Sequence, residues 1–248
     1  MLPPHFKQAI ENIRGLEKYS RYHGAFIFGS VARGEVTEHS DLDVCIVVNE
    51  DNFCKNINHP FINGVKLDIT FLSLGQLSRR TEQESKSGRI PLVAESKVVF
   101  DKTGVLNELR DRYVQVKAPR YTAKDHQFQQ FMVHHANDKV ERNLDEDRDS
   151  AMLAMHVGIN DLLKIHYRLN GKWWVSNKRI LGDLDEWDKE LFNLLREFLS
   201  LSDVQKKFTA WSKIVEHITK QMGGKKNIGE LNCDCENCKE DLRLLLNK

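Results

Sequence analysis

Phe26-Ile27-Phe28-Gly29-Ser30 is followed, after ten residues, by Asp41-Leu42-Asp43-Val44-Cys45-Ile46-Val47-Val48. A Gly-Ser pair closes one apolar strand, and two alternating carboxylates open the next. On a strand, Asp41 and Asp43 point to one face, while Leu42, Val44, Ile46 and Val48 point to the other and can bury there. Two carboxylates held close together repel, and one of them ordinarily keeps its proton. A divalent cation relieves that conflict, and Mg²⁺ in particular binds through one or two carboxylates together with substrate phosphates. Gly29 has no Cβ and lets the backbone approach a ligand closely. Ser30 adds a hydroxyl, and a helix starting near Val31 would direct free N–H groups at phosphate. The pattern therefore predicts phosphoryl chemistry.

A two-metal site needs a third carboxylate. Val65-Lys66-Leu67-Asp68-Ile69-Thr70-Phe71 provides one. Its apolar and polar residues alternate as in a half-buried strand. Asp68 sits in the middle of the polar face, where aspartate is normally depleted.

Taken together, Phe28-Gly29-Ser30-Val31-Ala32-Arg33-Gly34, Ser40-Asp41-Leu42-Asp43 and the later Asp68 resemble the DNA polymerase β-like nucleotidyltransferase superfamily. Within it, the strings are most similar to the bacterial small-substrate branch, which includes aminoglycoside and lincosamide nucleotidyltransferases and the minimal nucleotidyltransferase antitoxins. The resemblance covers roughly residues 20–105, and the strand-Asp-Gly ending at Asp101 and Gly104 fits it too. It implies that Asp41, Asp43 and Asp68 ligate two Mg²⁺ ions, and Asp68 is also a candidate general base. It implies nucleotide binding by Gly29, Ser30 and Ser40, and phosphate contact by a helical-domain lysine, for which Lys164 is the candidate. The implied reaction moves a nucleoside monophosphate, AMP from ATP, onto a hydroxyl and releases pyrophosphate.

The 248 residues suffice for two domains. The expected fold class is α+β: a nucleotidyltransferase-type mixed sheet with flanking helices in residues 1–118, and a helical bundle in residues 119–248 that serves as substrate or partner domain. In the first domain the helices are expected mostly on one sheet face, with residues 5–20 as the first of them. Residues 55–64 read as a loop, residues 74–87 as a helix and a mobile loop, and residues 91–100 as short strands. In the second, helices are expected at 123–144, 151–169, 186–200, 203–221 and 239–247. Phe128, Phe131, Met132 and His135 are taken as buried positions of the first of these. Residues 145–149 read as an acidic turn and residues 223–238 as a loop.

The 37 basic and 36 acidic residues leave a net charge of +1, which disfavours nucleic acid as the main partner. No run of eighteen apolar residues and no signal-peptide core are present, so a cytoplasmic protein without a membrane span is expected. The five cysteines argue against a disulfide framework. Cys233, Cys235 and Cys238 have half the spacing of a zinc knuckle, with His217 as a distant candidate donor, and zinc binding there stays open. The acidic stretch Glu141, Asp145, Glu146, Asp147 and Asp149 would suit a polycationic acceptor, although a solvated turn explains it as well. The partners implied are a nucleoside triphosphate and a small hydroxyl-bearing acceptor such as an antibiotic, which would make the activity one of antibiotic resistance; a homodimer is compatible. Two other readings stand: an AMPylating, protein-modifying enzyme of the toxin–antitoxin type, and a non-catalytic nucleotide-binding protein.

Overall fold

The computed structural model describes residues 2–224, 226 and 235–246. The chain divides into two compact units, Met1–Pro119 and Arg120–Lys248.

In the first unit, α1 (Pro4–Arg14) begins with proline in its first turn, where the missing N–H costs nothing. A short 3-10 turn (Gly15–Lys18) ends the helical stretch earlier than position 20. The strands are β1 (Tyr22–Phe28), β2 (Leu42–Val48), β3 (Phe61–Ile62), β4 (Val65–Ser73) and β5 (Lys97–Asp101), with sheet order β3-β4-β2-β1-β5. β2 and β4 run parallel, while the β1–β2, β1–β5 and β3–β4 pairs are antiparallel. The helices α2 (Gly29–Arg33), α3 (Leu74–Lys86) and α4 (Val105–Val114) complete the unit.

Period-2 alternation divides the sheet's residues between two cores. Ala25, Ile27, Leu42, Val44, Ile46 and Leu67 pack with Phe6, Ala9 and Ile13 of α1 and with Val31 and Ala32 of α2. Phe26, Cys45, Val47 and Leu72 pack with Leu77 of α3 and with Leu106 and Leu109 of α4. Helices therefore cover both faces of the sheet, not mostly one. The strands of the central pair alternate apolar residues on both sides, and each side demands a cover.

Residues 55–64 are not all loop. Phe61–Ile62 pairs with Val65 and Lys66 around Asn63-Gly64, whose φ values of +50° and +81° form a two-residue hairpin turn. Further along the same edge, Asn56 substitutes for a strand: its side chain donates to Phe71 O at 3.2 Å and accepts from Phe71 N at 3.0 Å. Residues 74–86 form one continuous helix, held at its start by a Ser73–Gln76 capping box. Residues 91–96 are turns, with β5 starting only at Lys97. Asp101 accepts from Gly104 N and from both the backbone and side-chain nitrogens of Asn107 at 2.9–3.0 Å, which fixes the start of α4.

The second unit contains α5 (Ala123–Glu146), α6 (Arg148–Leu169), α7 (Ile180–Trp187), α8 (Lys189–Ser200), α9 (Val204–Lys220) and α10 (Glu236–Leu246). A single residue, Asp147, separates α5 from α6. The expected acidic turn at 145–149 is thus a helix–helix corner, with Asp147 accepting from Ser150 N at 3.0 Å and Ser150 Oγ at 2.7 Å. The expected 186–200 helix is α8, which starts at Lys189, and a separate helix, α7, precedes it across Asp188.

The buried face of α5 differs from expectation. Phe128, Phe131 and Met132 are 61%, 37% and 42% exposed, while Gln129, Gln130, Val133, His134, Asn137 and Val140 are buried. His135 is only half-buried. The buried polar groups find partners: Gln130 donates to Met222 O at 2.8 Å, His134 accepts from Lys226 N at 3.0 Å, and Asn137 accepts from Trp211 Nε1 at 3.2 Å. Trp211, Tyr167, Phe198, Leu184 and Met155 fill the centre of this bundle. Most of the expected 223–238 connection, including Cys233, lies outside the described residues, and α10 begins at Glu236.

Candidate active site

The first unit's candidate site is set by strand register. Phe28, the last residue of β1, pairs with Asp43, and Asp43 pairs with Asp68 across the parallel β2–β4 ladder. Adjacent strands stand about 4.8 Å apart, and residues in register share a face. Asp43 and Asp68 therefore project side by side. Leu42 and Leu67, their neighbours in register, are buried on the opposite face and lock that alignment. A one-residue slip of either strand would turn its carboxylate to the face that now buries its leucine.

Gly29 follows Phe28 directly, and its φ of +70° turns the chain from β1 into α2. A Cβ built at this position would overlap the carboxylate of Asp43. Glycine is thus required twice over, by the backbone angle and by the closeness of the acid. Ser30 is buried, and its carbonyl accepts from Glu35 N at 2.9 Å. Arg33 staples the end of α2, with Nε 2.9 Å from Glu35 and Nη1 3.0 Å from Glu95. Burial pulls the Arg33 pKa down, but these two carboxylates outweigh it and the guanidinium titrates above its ordinary value.

Asp41 stands one residue before β2, outside the ladder that fixes Asp43 and Asp68, and is half-buried. The hydroxyl of Ser40 accepts from Thr37 N at 2.9 Å and lies 3.2 Å from Thr37 Oγ1, so it closes the turn ahead of Asp41. Cys45 shares the Asp43 face but lies within the core, where burial pushes its thiol up to about 12 and leaves it unreactive at neutral pH. Lys164 belongs to the second unit: on α6 it pairs with Asp161 at 2.9 Å and stands 6.0 Å from the Trp174 ring centroid. Of the acidic residues considered for a polycationic acceptor, Glu141, Asp145, Glu146, Asp147 and Asp149 are all exposed.

Sequence reasoning missed His59, whose Nδ1 lies 3.6 Å from Asp68 Oδ1. It sits in the loop that pairs with the β4 edge, where Ile69 N donates to Asn58 O at 3.0 Å. A lone histidine in a polar loop carries no signal of that approach. The requirement for Gly29 was legible as a close approach, but the group it approaches is an acid of the next strand.

The oxygen-only donor set of Asp41, Asp43 and Asp68 fits a hard cation such as Mg²⁺. The Gly29 cradle against Asp43 holds one of these acids where it would serve. Among the described residues, the three-donor group whose atoms all lie within 4.8 Å of one another is a different one: His166, Asp188 and His217 of the second unit. Also among the described residues, no helix is long and apolar enough to cross a membrane.

Comparison with known proteins bears on the first unit. Residues 13–117 match the family described as nucleotidyltransferase domain. That match supports nucleotidyl transfer as the general activity. Among solved structures, the chain is similar to a nucleotidyltransferase-like protein from Exiguobacterium sibiricum, with 13% identity and a TM-score of 0.49, over 88% of this chain and 77% of that one. No curated protein matches the chain.

Proposed function

We propose that the chain is a Mg²⁺-dependent nucleotidyltransferase that moves AMP from ATP onto a hydroxyl of a small molecule, an aminoglycoside or lincosamide antibiotic, and releases pyrophosphate. The observation that carries this reading is the paired register of Asp43 and Asp68, with Gly29 pressed against Asp43. Asp41, Asp43 and Asp68 hold the metal in this reading. Bound Mg²⁺ supplies charge neutralisation for the phosphates and for the oxygens entering and leaving phosphorus. The acceptor oxygen bonds to the α-phosphorus as the bond to the bridging oxygen of the β-phosphate breaks. Asp68 takes the proton of the acceptor hydroxyl, and His59 orients the Asp68 carboxylate. Gly29 and Ser30 present backbone to the triphosphate at the end of β1, and Ser40 is a further nucleotide contact in this reading. Positioning and electrostatics do most of the work in such transfers.

In the same proposal the exposed acids near Asp147 suit a polycationic acceptor. The balanced charge and the absence of a membrane-spanning helix among the described residues suit a cytoplasmic enzyme with a small acceptor. One observation favours a second reading. Phe128, Phe131 and Met132 form an exposed apolar stripe at i, i+3 and i+4 on α5, a feature that suits a protein acceptor of the toxin–antitoxin type.

Pyrophosphate release tests the proposal, with Mg²⁺ and each of the four nucleoside triphosphates against a panel of aminoglycosides and lincosamides. Asp43→Asn serves as the control and should lower turnover by about a hundredfold or more, with the folded state intact by circular dichroism. Release with one drug class, abolished in Asp43→Asn, is the expected result. Silence across the panel with Mg·ATP still bound would move the acceptor to a protein, and an Asp43→Asn protein of full activity would remove the metal assignment.

A further inference from the structure

Nucleotidyl transfer in the first unit makes no use of the cluster at the centre of the helical unit. His166 on α6 and His217 on α9 bring their Nε2 atoms to the same oxygen of Asp188, Oδ2, at 2.7 Å and 2.8 Å. The other oxygen of that carboxylate is already engaged, since Oδ1 accepts the Leu191 N–H at 3.0 Å and caps α8. His166 is wholly buried, and the His217 and Asp188 side chains are 14% exposed. The rings are held in place: His166 stacks on Trp187 at 5.2 Å and 12°, and Glu190 stands behind His217 with Oε2 3.5 Å from Nδ1.

We propose that His166, Asp188 and His217 form a binding site for one divalent transition-metal ion of the zinc class, which ties α6, the α7–α8 corner and α9 together. Two imidazole nitrogens and one carboxylate oxygen are a donor set for Zn²⁺ and its neighbours, while Mg²⁺ and Ca²⁺ prefer oxygen throughout. Donors ~2.1 Å from a tetrahedral ion stand roughly 3.4 Å apart. Each imidazole nitrogen therefore needs to draw back from Asp188 by well under an ångström. Binding through Nε2 requires the ring proton to reside on Nδ1. Glu190 faces His217 Nδ1 and stabilises that tautomer, the arrangement by which a carboxylate orients a metal-bound histidine.

His217 is thus directed to Asp188 and Glu190. The site is also separate in sequence and donor type from the aspartates of the first unit.

The test uses the full-length, tag-free protein carrying Cys233→Ser, Cys235→Ser and Cys238→Ser, stripped of metal with a chelator. It is titrated with Zn²⁺ by calorimetry and with Co²⁺ by visible absorption. The expected result is one ion per chain, a Co²⁺ spectrum without sulfur-to-metal charge transfer, and a rise in Tm with Zn²⁺. His217→Ala and Asp188→Asn should weaken binding by tenfold or more, Asp188→Asn keeping the shape of the α8 cap. Glu190→Gln, at an exposed position, should weaken it by about tenfold. Asp43→Asn should leave it unchanged. Thermal unfolding of each variant in chelator separates loss of the ion from loss of the fold. No saturable binding in the triple cysteine-to-serine protein would overturn the proposal and leave a hydrogen-bonded His–Asp–His cluster. Unaltered affinity in both His217→Ala and Asp188→Asn would overturn it as well.

Discussion

The sheet unit and the helical unit present their polar groups in opposite ways. In the first, Asp43 and Asp68 lie at the ends and edges of strands whose other face is apolar, and strand alternation alone sets their direction. In the second, Gln130, His134, Asn137 and His166 lie inside the bundle, while Phe128, Phe131 and Met132 face outward. A strand offers two faces, so an apolar set on one determines the other. A helix such as α5 carries apolar residues on more than one side, and the neighbouring helices decide which side is covered.

The largest effect on turnover that would sharpen this contrast is expected at Gly29. Gly29→Ala forces a side chain into left-handed backbone and against Asp43, so turnover should fall by about a hundredfold or more, with a stability loss of about 1–3 kcal/mol in urea unfolding. An alanine variant of native activity would show that the Gly29–Asp43 approach is incidental.

Next comes the helical core. Trp211 is wholly buried, and Trp211→Ala should cost about 3–5 kcal/mol. It also strands Asn137, whose Oδ1 accepts the indole N–H.

The α5 stripe gives the smaller and more discriminating result. Phe131→Ser should change stability by no more than about 0.5 kcal/mol in the isolated protein. A loss several times greater would mean that the stripe is covered and that the sequence reading of this helix face was the right one.

The smallest effect concerns the α5–α6 corner. Hydrogen bonds from the Ser150 side chain and then from its backbone N–H hold the Asp147 carboxyl below its ordinary value, against a minor opposing effect of burial. A depressed carboxyl contributes stability that is complete above its unfolded pKa and is lost as pH falls through the folded one. Asp147→Asn should therefore remove that contribution: Tm falls slightly at neutral pH and the acid-side decline flattens, which thermal melts across pH check.

Much of the first unit could be read from its residues because short-range rules govern them. The apolar alternation of residues 42–48 and 65–71 gave strands, and the Gly-Ser turn and the aspartates marked the end of the sheet where polar groups gather. Asp41 was read as a strand partner of Asp43, yet the ladder starts only at Leu42. That difference arises because pairing, not propensity, decides where a strand begins. The Asn63-Gly64 turn is a local signal that the sequence carries in full. His59 had no such signal, since its approach to Asp68 depends on how the loop before β3 drapes along an edge.

In the second unit the sequence marked α6 and α9, but it gave α7 itself no helix and started the 186–200 helix two residues inside it. Asp188 is the reason: it is an unremarkable acid in the sequence, yet in the fold it caps α8 and receives two histidines from helices 22 and 29 residues away.

What the sequence determined by itself was the chemistry at the start of β2: period-2 alternation puts acids on one face and apolar residues on the other, whatever surrounds them. What only the tertiary structure decided was which residues from distant segments meet. The parallel β2–β4 pairing set Asp43 against Asp68, the antiparallel β1–β2 pairing set Gly29 against Asp43, and helix packing brought His166 and His217 to one oxygen of Asp188. Those meetings depend on strand order and helix packing, which arise from the burial of three separate cores, and no local rule along the chain contains them.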